Sequence, residues 1–282
     1  MAAIIARSVI FARPDRLFTA MEPTDLTAPD DTRRFGGIAR LYGEAGRARL
    51  AAARVCVVGI GGVGSWVAEG LARSGVGKLT LIDLDHVAES NINRQIHASD
   101  ATLGQAKVEA MRERIAGFNP ECGVSVVDDF VTADNTAELL GSGFDYVIDA
   151  IDAVRVKVAM IAFCRQAGVP VITCGAAGGQ VDPTQIRVDD LSRTLQDPLL
   201  AKVRRQLRQN YGFPREARKK FGVEAVFSTE PLRYPATDVA CEVLVGGPAG
   251  LNCAGFGSVV TVTACVGLFA AARAINALAA GR

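Results

Sequence analysis

The chain reads as an α/β protein: a Rossmann-like, mostly parallel sheet with flanking helices, and a C-terminal extension forming the substrate side. Two observations predict the sheet. Short apolar runs alternate with helical stretches at a steady interval, the rhythm of βαβ units. Directly after the first run stands GIGGVG, with Gly59, Gly61 and Gly64 in G-x-G-x-x-G order, and Asp83 closes the next run 19 residues beyond Gly64.

Taken in order, residues 1–33 read as a tail outside the fold. Arg7, Arg13 and Arg16 face Asp15 as the one acid in the first 20 residues. A mobile tail, or a true start at Met21, is the first reading of it, and a cleavable transit peptide the second. Residues 34–50 carry apolar side chains at helical intervals and read as a short arm. Then come a strand at 54–59, a helix at 63–73, a strand at 78–83 and an amphipathic helix at 105–116. The runs 124–127, 146–149 and 169–173 are further strands, with helices at 134–140 and 155–167. These make 34–175 a nucleotide-binding region.

From 176 to 282 the βαβ order lapses. GAAGG (175–179) is a loop, 185–188 an edge strand, 199–221 a basic and partly helical stretch, and 223–228 a strand. This part reads as an extension of the same sheet. The apolar stretch 256–280 reads as a buried helix closing the domain. It is rich in Gly, Ala, Ser and Thr, contains Arg273, and has no basic flank before it, so a membrane span is the weaker reading.

Composition sets the outer limits. The 282 residues suffice for one large domain with a sizeable core, and 49% hydrophobic against 22% charged residues makes the chain globular. A net charge of +1 points to neither a nucleic acid nor a membrane, so any such partner rests on local patches. The seven cysteines are odd in number and none are paired as C-x-x-C. That argues against a disulfide framework and against a thiolate zinc site, and fits a reducing cytoplasm.

The glycine turn carries the chemistry. Its first glycine permits the turn, its second lets backbone N–H groups approach phosphate, and its third allows close helix packing. Gly59, Gly61, Gly62 and Gly64 are the candidate phosphate cradle, and Asp83 a candidate ribose ligand. NAD, FAD and ATP all suit such a turn. The stretches DLDHVAESNINRQ (83–95), GQAK (104–107) and DAID (149–152) favour ATP. Arg94 and Lys107 can neutralise a triphosphate, and Asp152 can hold Mg²⁺. Taken singly, Arg94 or Lys107 would more often be a solvated helix charge; it is the ordered set that counts.

Together the arm RFGGIARLYG, the glycine turn, DLDHVAESNINRQIH, GQAK and DAID resemble the ubiquitin-activating-enzyme-like adenylyltransferases, the superfamily of the ThiF and MoeB proteins. The resemblance implies attack of a carboxylate on ATP, giving an acyl-adenylate and pyrophosphate. It assigns catalysis to Arg94, Lys107 and Asp152, the ribose to Asp83, Mg²⁺ to Asp152, and phosphate oxygens to Asn91 and Gln95. Two features depart from the sulfur-carrier branch. The paired zinc cysteines are missing, and the arm motif R-Y-x-R reads RFGG, with Gly37 replacing the second arginine. Arg34 or Arg40 would supply that charge instead.

From about residue 33 to about 275, GVGSWVAEGLARSGVGKLTLIDLD, NRQIHA, VVDDFVT, DYVIDAIDAVR, GGQVDPTQI, QDPL and VFSTE resemble the branch of tRNA threonylcarbamoyladenosine dehydratases. That branch implies adenylation of the carboxylate on the modified adenosine at tRNA position 37, then ring closure with formal loss of water. Ring closure is intramolecular, so orientation can carry it without a catalytic thiol. Cys241 reads first as a core or loop thiol and second as a reactive one. Relatives in the superfamily usually dimerise, which implies a homodimer, and a sulfur-transfer system is a candidate partner.

Lys202, Arg204, Arg205 and Arg208 head a basic segment in which Tyr211 and Phe213 interleave, a pattern suited to phosphates and stacked bases. A plain solvated basic helix is the alternative. The loop 178–183, with Asp182, is a candidate monovalent cation site for K⁺ or Na⁺. His86 and His97 have no second ligand near them in sequence and suggest no metal site. Three rival functions are weighed: a sulfur-carrier adenylyltransferase, a non-catalytic scaffold, and an NAD-dependent dehydrogenase. The basic segment opposes the first, the intact Asp83, Arg94, Lys107 and Asp152 the second, and the lack of a hydride-acceptor pocket the third.

Overall fold

The computed structural model describes residues 30–141, 143–216, 218–234 and 256–281. The elements run α1 (Asp31–Ala52), β1 (Arg54–Val58), α2 (Gly64–Arg73), β2 (Lys78–Ile82), α3 (Lys107–Ala116), β3 (Gly123–Val127) and α4 (Thr136–Leu140). They continue with β4 (Tyr146–Asp149), α5 (Val154–Ala167), β5 (Val171–Cys174), β6 (Ile186–Asp190), α6 (Pro198–Asn210), β7 (Glu224–Ser228) and α7 (Val260–Ala280). Short 3-10 turns fill some of the connections.

All seven strands among the described residues lie in one sheet, ordered β3-β2-β1-β4-β5-β7-β6. Every pairing is parallel except β6 with β7. Side-chain alternation splits the core into two layers. Val55, Val57 and Ile148 face one layer with α2 and α7. Cys56, Val58 and Val147 face the other, with α5 and α6. Strands β4 and β5 are buried along their whole length, as parallel strands covered on both faces must be.

Several boundaries differ from the sequence reading, each for a local reason. The arm helix starts at Asp31, three residues early, because Asp30 caps it by accepting from the N–H groups of Thr32 (2.8 Å) and Arg33 (3.2 Å). Helix α3 starts at Lys107, two residues late, because Gln105 and Ala106 pair with Val87 and His86 instead. Strand β5 starts at Val171 because Gly168 ends α5 in the left-handed conformation and Pro170 follows. The strand read at 223–228 is β7. It lies between β5 and the edge strand β6, so the extension continues the sheet.

Helix α7 is long and apolar enough to cross a membrane by length and composition, but 61% of its most apolar stretch is buried. It packs along α2 and α1. At the α2 crossing, Gly267 leaves no room: an added Cβ would lie 2.5 Å from the Val63 carbonyl and 3.0 Å from the Trp66 Cβ. Gly267→Ala is therefore expected to cost about 1–3 kcal/mol by forcing the helices apart. A urea titration checks this; an unchanged midpoint would show that the crossing adapts.

Candidate active site

A cavity of about 590 Å³ opens at the C-terminal ends of the parallel strands. It sits between β1 and β4, where the strand order reverses direction, the place where open α/β sheets form a crevice. Segments 59–63, 83–85, 94–95, 129–131, 150–153, 175–178 and 198–202 contribute to its wall, together with Lys107, Leu232, Tyr234 and Phe256.

The glycine turn runs from β1 into α2. Gly59 has φ +88°, and a side chain there would press to 3.0 Å of the Ala150 carbonyl. Gly64 must stay bare because a Cβ would overlap the Gly59 carbonyl oxygen. Gly61 differs: nothing lies within 4 Å of an added Cβ, so its backbone faces open cavity. Gly62 faces the Arg94 side chain, and an added Cβ would come to 3.1 Å of its Cγ.

Charges of both signs meet here. The Asp83 carboxylate accepts from the N–H groups of Ile60 (2.6 Å) and Asp85 (2.9 Å), which ties β2 to the glycine turn. Burial raises its pKa above the usual carboxylate value, opposed by the Lys107 charge and these two N–H groups. The Lys107 Nζ donates to Asp85 Oδ2 at 2.7 Å and is nearly buried. Arg94 is half-buried. Its guanidinium donates to the Ser90 carbonyl (2.8 Å) and to Asn93 Oδ1 (2.9 Å), and the Arg94 backbone carbonyl accepts from Trp66 Nε1 (2.9 Å). Burial lowers its pKa. Gln95 is buried on the wall, and its Oε1 has no hydrogen-bond partner among the described residues. Asn91 is off the wall; its side-chain carbonyl accepts from the Ala88 N–H at 3.1 Å and caps the 89–91 turn.

Asp152 stands exposed on the wall, in the turn that follows β4. A buried cluster supports that turn. Lys157 and Asp149 are both fully buried and 2.9 Å apart. Lys157 Nζ also donates to the Ile151 carbonyl (2.8 Å), and Thr173 Oγ1 donates to Asp149 Oδ2 (2.7 Å). Lys157 was not singled out from the sequence. The available signal is a lysine on the stripe of Ile161 and Cys164 (i, i+4, i+7), the face that a core helix buries.

Asp197 was missed too. It caps α6 through the Leu200 N–H (2.9 Å) and accepts from the Ala176 N–H (2.9 Å), so it fastens α6 to the 175–178 loop. Its carboxylate fills the space a side chain at Gly175 would need. The Asp-Pro pair ahead of a helical run is the signal for such a cap.

The basic segment divides. Lys202 reaches the cavity wall and Arg205 is exposed. Arg204 donates to Thr194 Oγ1. Arg208 donates to the Pro214 carbonyl (3.1 Å) and lies 5.2 Å over the Phe221 ring. Tyr211 is exposed, while Phe213 packs edge-on against Phe221 with centroids 5.0 Å apart. The Asp182 carboxylate is engaged by Thr184 and Gln185 of its own turn. Arg34 and Arg40 are exposed on α1 and do not line the cavity. Cys241 lies outside the described residues. His86 is exposed, whereas His97 is buried and neither ring nitrogen is hydrogen-bonded among the described residues.

Residues 36–281 match the ThiF family. A tRNA threonylcarbamoyladenosine dehydratase of Escherichia coli (strain K12) is 53% identical over 252 residues, covering 88% of this chain and 94% of that one. The crystal structure of E. coli tRNA N6-threonylcarbamoyladenosine dehydratase in complex with ATP superposes with a TM-score of 0.80 at 51% identity, covering 89% and 95% of the two chains. A molybdopterin-synthase adenylyltransferase of Salmonella typhimurium is 43% identical over 132 residues, only 47% of this chain and 52% of its own length.

Two outcomes follow from the buried groups. Lys157→Met strands the Asp149 carboxylate, and a loss of about 3–5 kcal/mol is expected in chemical denaturation; a loss under 1 kcal/mol would show that the carboxylate takes up a proton or water at little cost. His97 takes up its proton near pH 6.5 when unfolded. In the fold, burial first, then the Lys107 and Arg114 charges, hold it down to about 4. Between those values the unfolded chain binds more protons, so stability falls as pH drops from 6.5 to 4, by up to ~3 kcal/mol. Denaturation midpoints across that range should fall less for His97→Leu than for the unaltered chain.

Proposed function

The chain belongs to the ThiF family, and from that premise we propose that it is an ATP-dependent tRNA threonylcarbamoyladenosine dehydratase. The observation that carries this is the cavity itself: an open glycine turn, two cations and a carboxylate-bearing turn gathered at the switch point of the sheet. The near full-length likeness to dehydratases supports it over sulfur-carrier activation, for which the match covers about half of the chain.

The residues fit a nucleoside triphosphate. Gly61 leaves its backbone open to the cavity, Gly62 and Gly64 complete the turn, and α2 points its N-terminus there. Arg94 and Lys107 would face the phosphates, with the buried Gln95 beside them. Asp83 would meet the ribose once the nucleotide competes for its oxygens. Asp152 would hold Mg²⁺ between the protein and the phosphates. Asn91 would act indirectly, by shaping the turn that presents Arg94.

The reaction uses the substrate's own carboxylate. One carboxylate oxygen attacks the α-phosphorus of ATP, pyrophosphate leaves, and the carbonyl carbon acquires AMP as leaving group. A nitrogen of the same modification then attacks that carbon, loses its proton and expels AMP. The oxygen formally lost as water departs on AMP. Arg94 and Lys107 stabilise charge developing on the transferred phosphoryl group, and ring closure is intramolecular, so the two reacting ends are already joined.

Lys202 and Arg205 are the basic side chains best placed to meet the tRNA backbone, Lys202 on the wall and Arg205 exposed on the same helix. Arg204 and Arg208 would support them through their contacts with Thr194 and Phe221. We further read the chain as a homodimer of a reducing cytoplasm. The exposed Leu268 and Phe269 on α7 and the buried free thiols of Cys56, Cys122, Cys164 and Cys174 support that reading.

The test is mass spectrometry of nucleosides from threonylcarbamoyladenosine-containing tRNA incubated with the protein and Mg·ATP. The modified nucleoside should lose the mass of one water, ATP should be required, and Lys107→Ala should lower the rate at least ~100-fold. An unchanged tRNA, with pyrophosphate exchange into ATP when a Gly-Gly carrier protein is supplied, would move the assignment to carrier activation.

A further inference from the structure

The cavity has a second wall that the adenylation chemistry does not use. The glycine turn and its cations come from β1, α2 and α3. Tyr234 and Phe256 come from the chain after β7 and before α7, and both line the same opening. Their ring centroids are 5.2 Å apart at an interplanar angle of 53°. Tyr234 nevertheless remains 74% exposed, although large aromatic side chains are usually well covered.

The pair is held by a braced backbone. The Gly179 N–H donates to the Gly257 carbonyl and the Gly179 carbonyl accepts from the Arg233 N–H, both at 2.8 Å. A side chain at Gly179 would press to 2.9 Å of the Phe256 ring. Arg233 in turn donates to Glu230 Oε1 at 3.2 Å, and Glu230 accepts the N–H groups of Val181 and Asp182. The backbone beside both rings is therefore anchored at the rim, and Lys202 lines the same opening.

We propose that Tyr234 and Phe256 form a stacking platform for the unpaired RNA base next to the modified nucleotide. The proposal rests on the reading of the chain as a tRNA-modifying enzyme. For its carboxylate to enter the cavity, the modified base must leave the stack of its loop, and its neighbour then loses a stacking face. An exposed aromatic pair replaces that face, and a nearby lysine meets the flanking phosphate. ATP is the poorer occupant, because the cations suited to its phosphates belong to the other wall.

The experiment uses the full chain and an anticodon stem-loop RNA carrying threonylcarbamoyladenosine, with 2-aminopurine as the flanking base. Binding should quench the 2-aminopurine. Tyr234→Leu should abolish the quench and raise the KM for RNA about tenfold while leaving the KM for ATP unchanged, and Tyr234→Trp should restore both. An unchanged KM for RNA in Tyr234→Leu, with dehydration by the unaltered protein intact, overturns the platform alone. So does an equal rise in the KM values for RNA and ATP. An unaltered protein that quenches the probe but never dehydrates the RNA overturns the enzymatic reading and leaves the platform standing.

Discussion

Two opposite charges lie 2.9 Å apart beneath the cavity with no solvent exposure, Lys157 from α5 and Asp149 from the end of β4. Burying either alone would cost several kcal/mol, so neither is tolerable without the other. The remaining polar valences are filled by Thr173 of β5 and by the Ile151 carbonyl. The pair thus joins two neighbouring strands, one helix and one turn at a single point. That turn carries Asp152 and lies against Gly59, so the pair sets the distance between the carboxylate side and the glycine side of the cavity. A well-packed apolar pair could match its stability, but would leave the turn without its hydrogen bond to Lys157.

The same economy of charge recurs at the surface of the cavity. Lys107 lies against Asp85 and within electrostatic reach of Asp83, so carboxylates oppose its charge before any ligand arrives. Arg94 is satisfied by a carbonyl and an amide. A polyanion entering this space exchanges protein partners for phosphate oxygens and strands no cation on the way.

Much of this was legible because it is local. The glycine turn and Asp83 sit at fixed offsets from strand ends, and those offsets are what a βαβ unit imposes, whereas Lys107 follows a long irregular connection and was read through the GQAK motif. The alternation of strand and helix is visible for the same reason. The residues that were not legible act across long separations. Lys157 looks like any helix lysine until the stripe it shares with Ile161 and Cys164 is seen to face inward. Asp197 is one acid among many until its carboxylate is found filling the space beside Gly175. Arg204 and Arg208 read as part of a basic face, yet the helix is amphipathic and leaves both half-buried against Thr194 and Phe221. Asn91 sits inside a motif, and its side-chain carbonyl also accepts the Ala88 N–H of a 3-10 turn, a contact no motif announces.

Helix α7 supports the start of α2 from about 200 residues further along the chain, with Gly267 against Val63. A ribosome delivers that support only after the other described elements. Until it arrives, α2 has an apolar flank with nothing to cover it, and the turn that leads into it lacks its backing. The earliest-encoded part of the nucleotide pocket is therefore among the latest to settle, a high-contact-order arrangement that slows folding. A chain interrupted before Val260 would display that uncovered flank, which marks it for the surveillance that removes unfinished proteins.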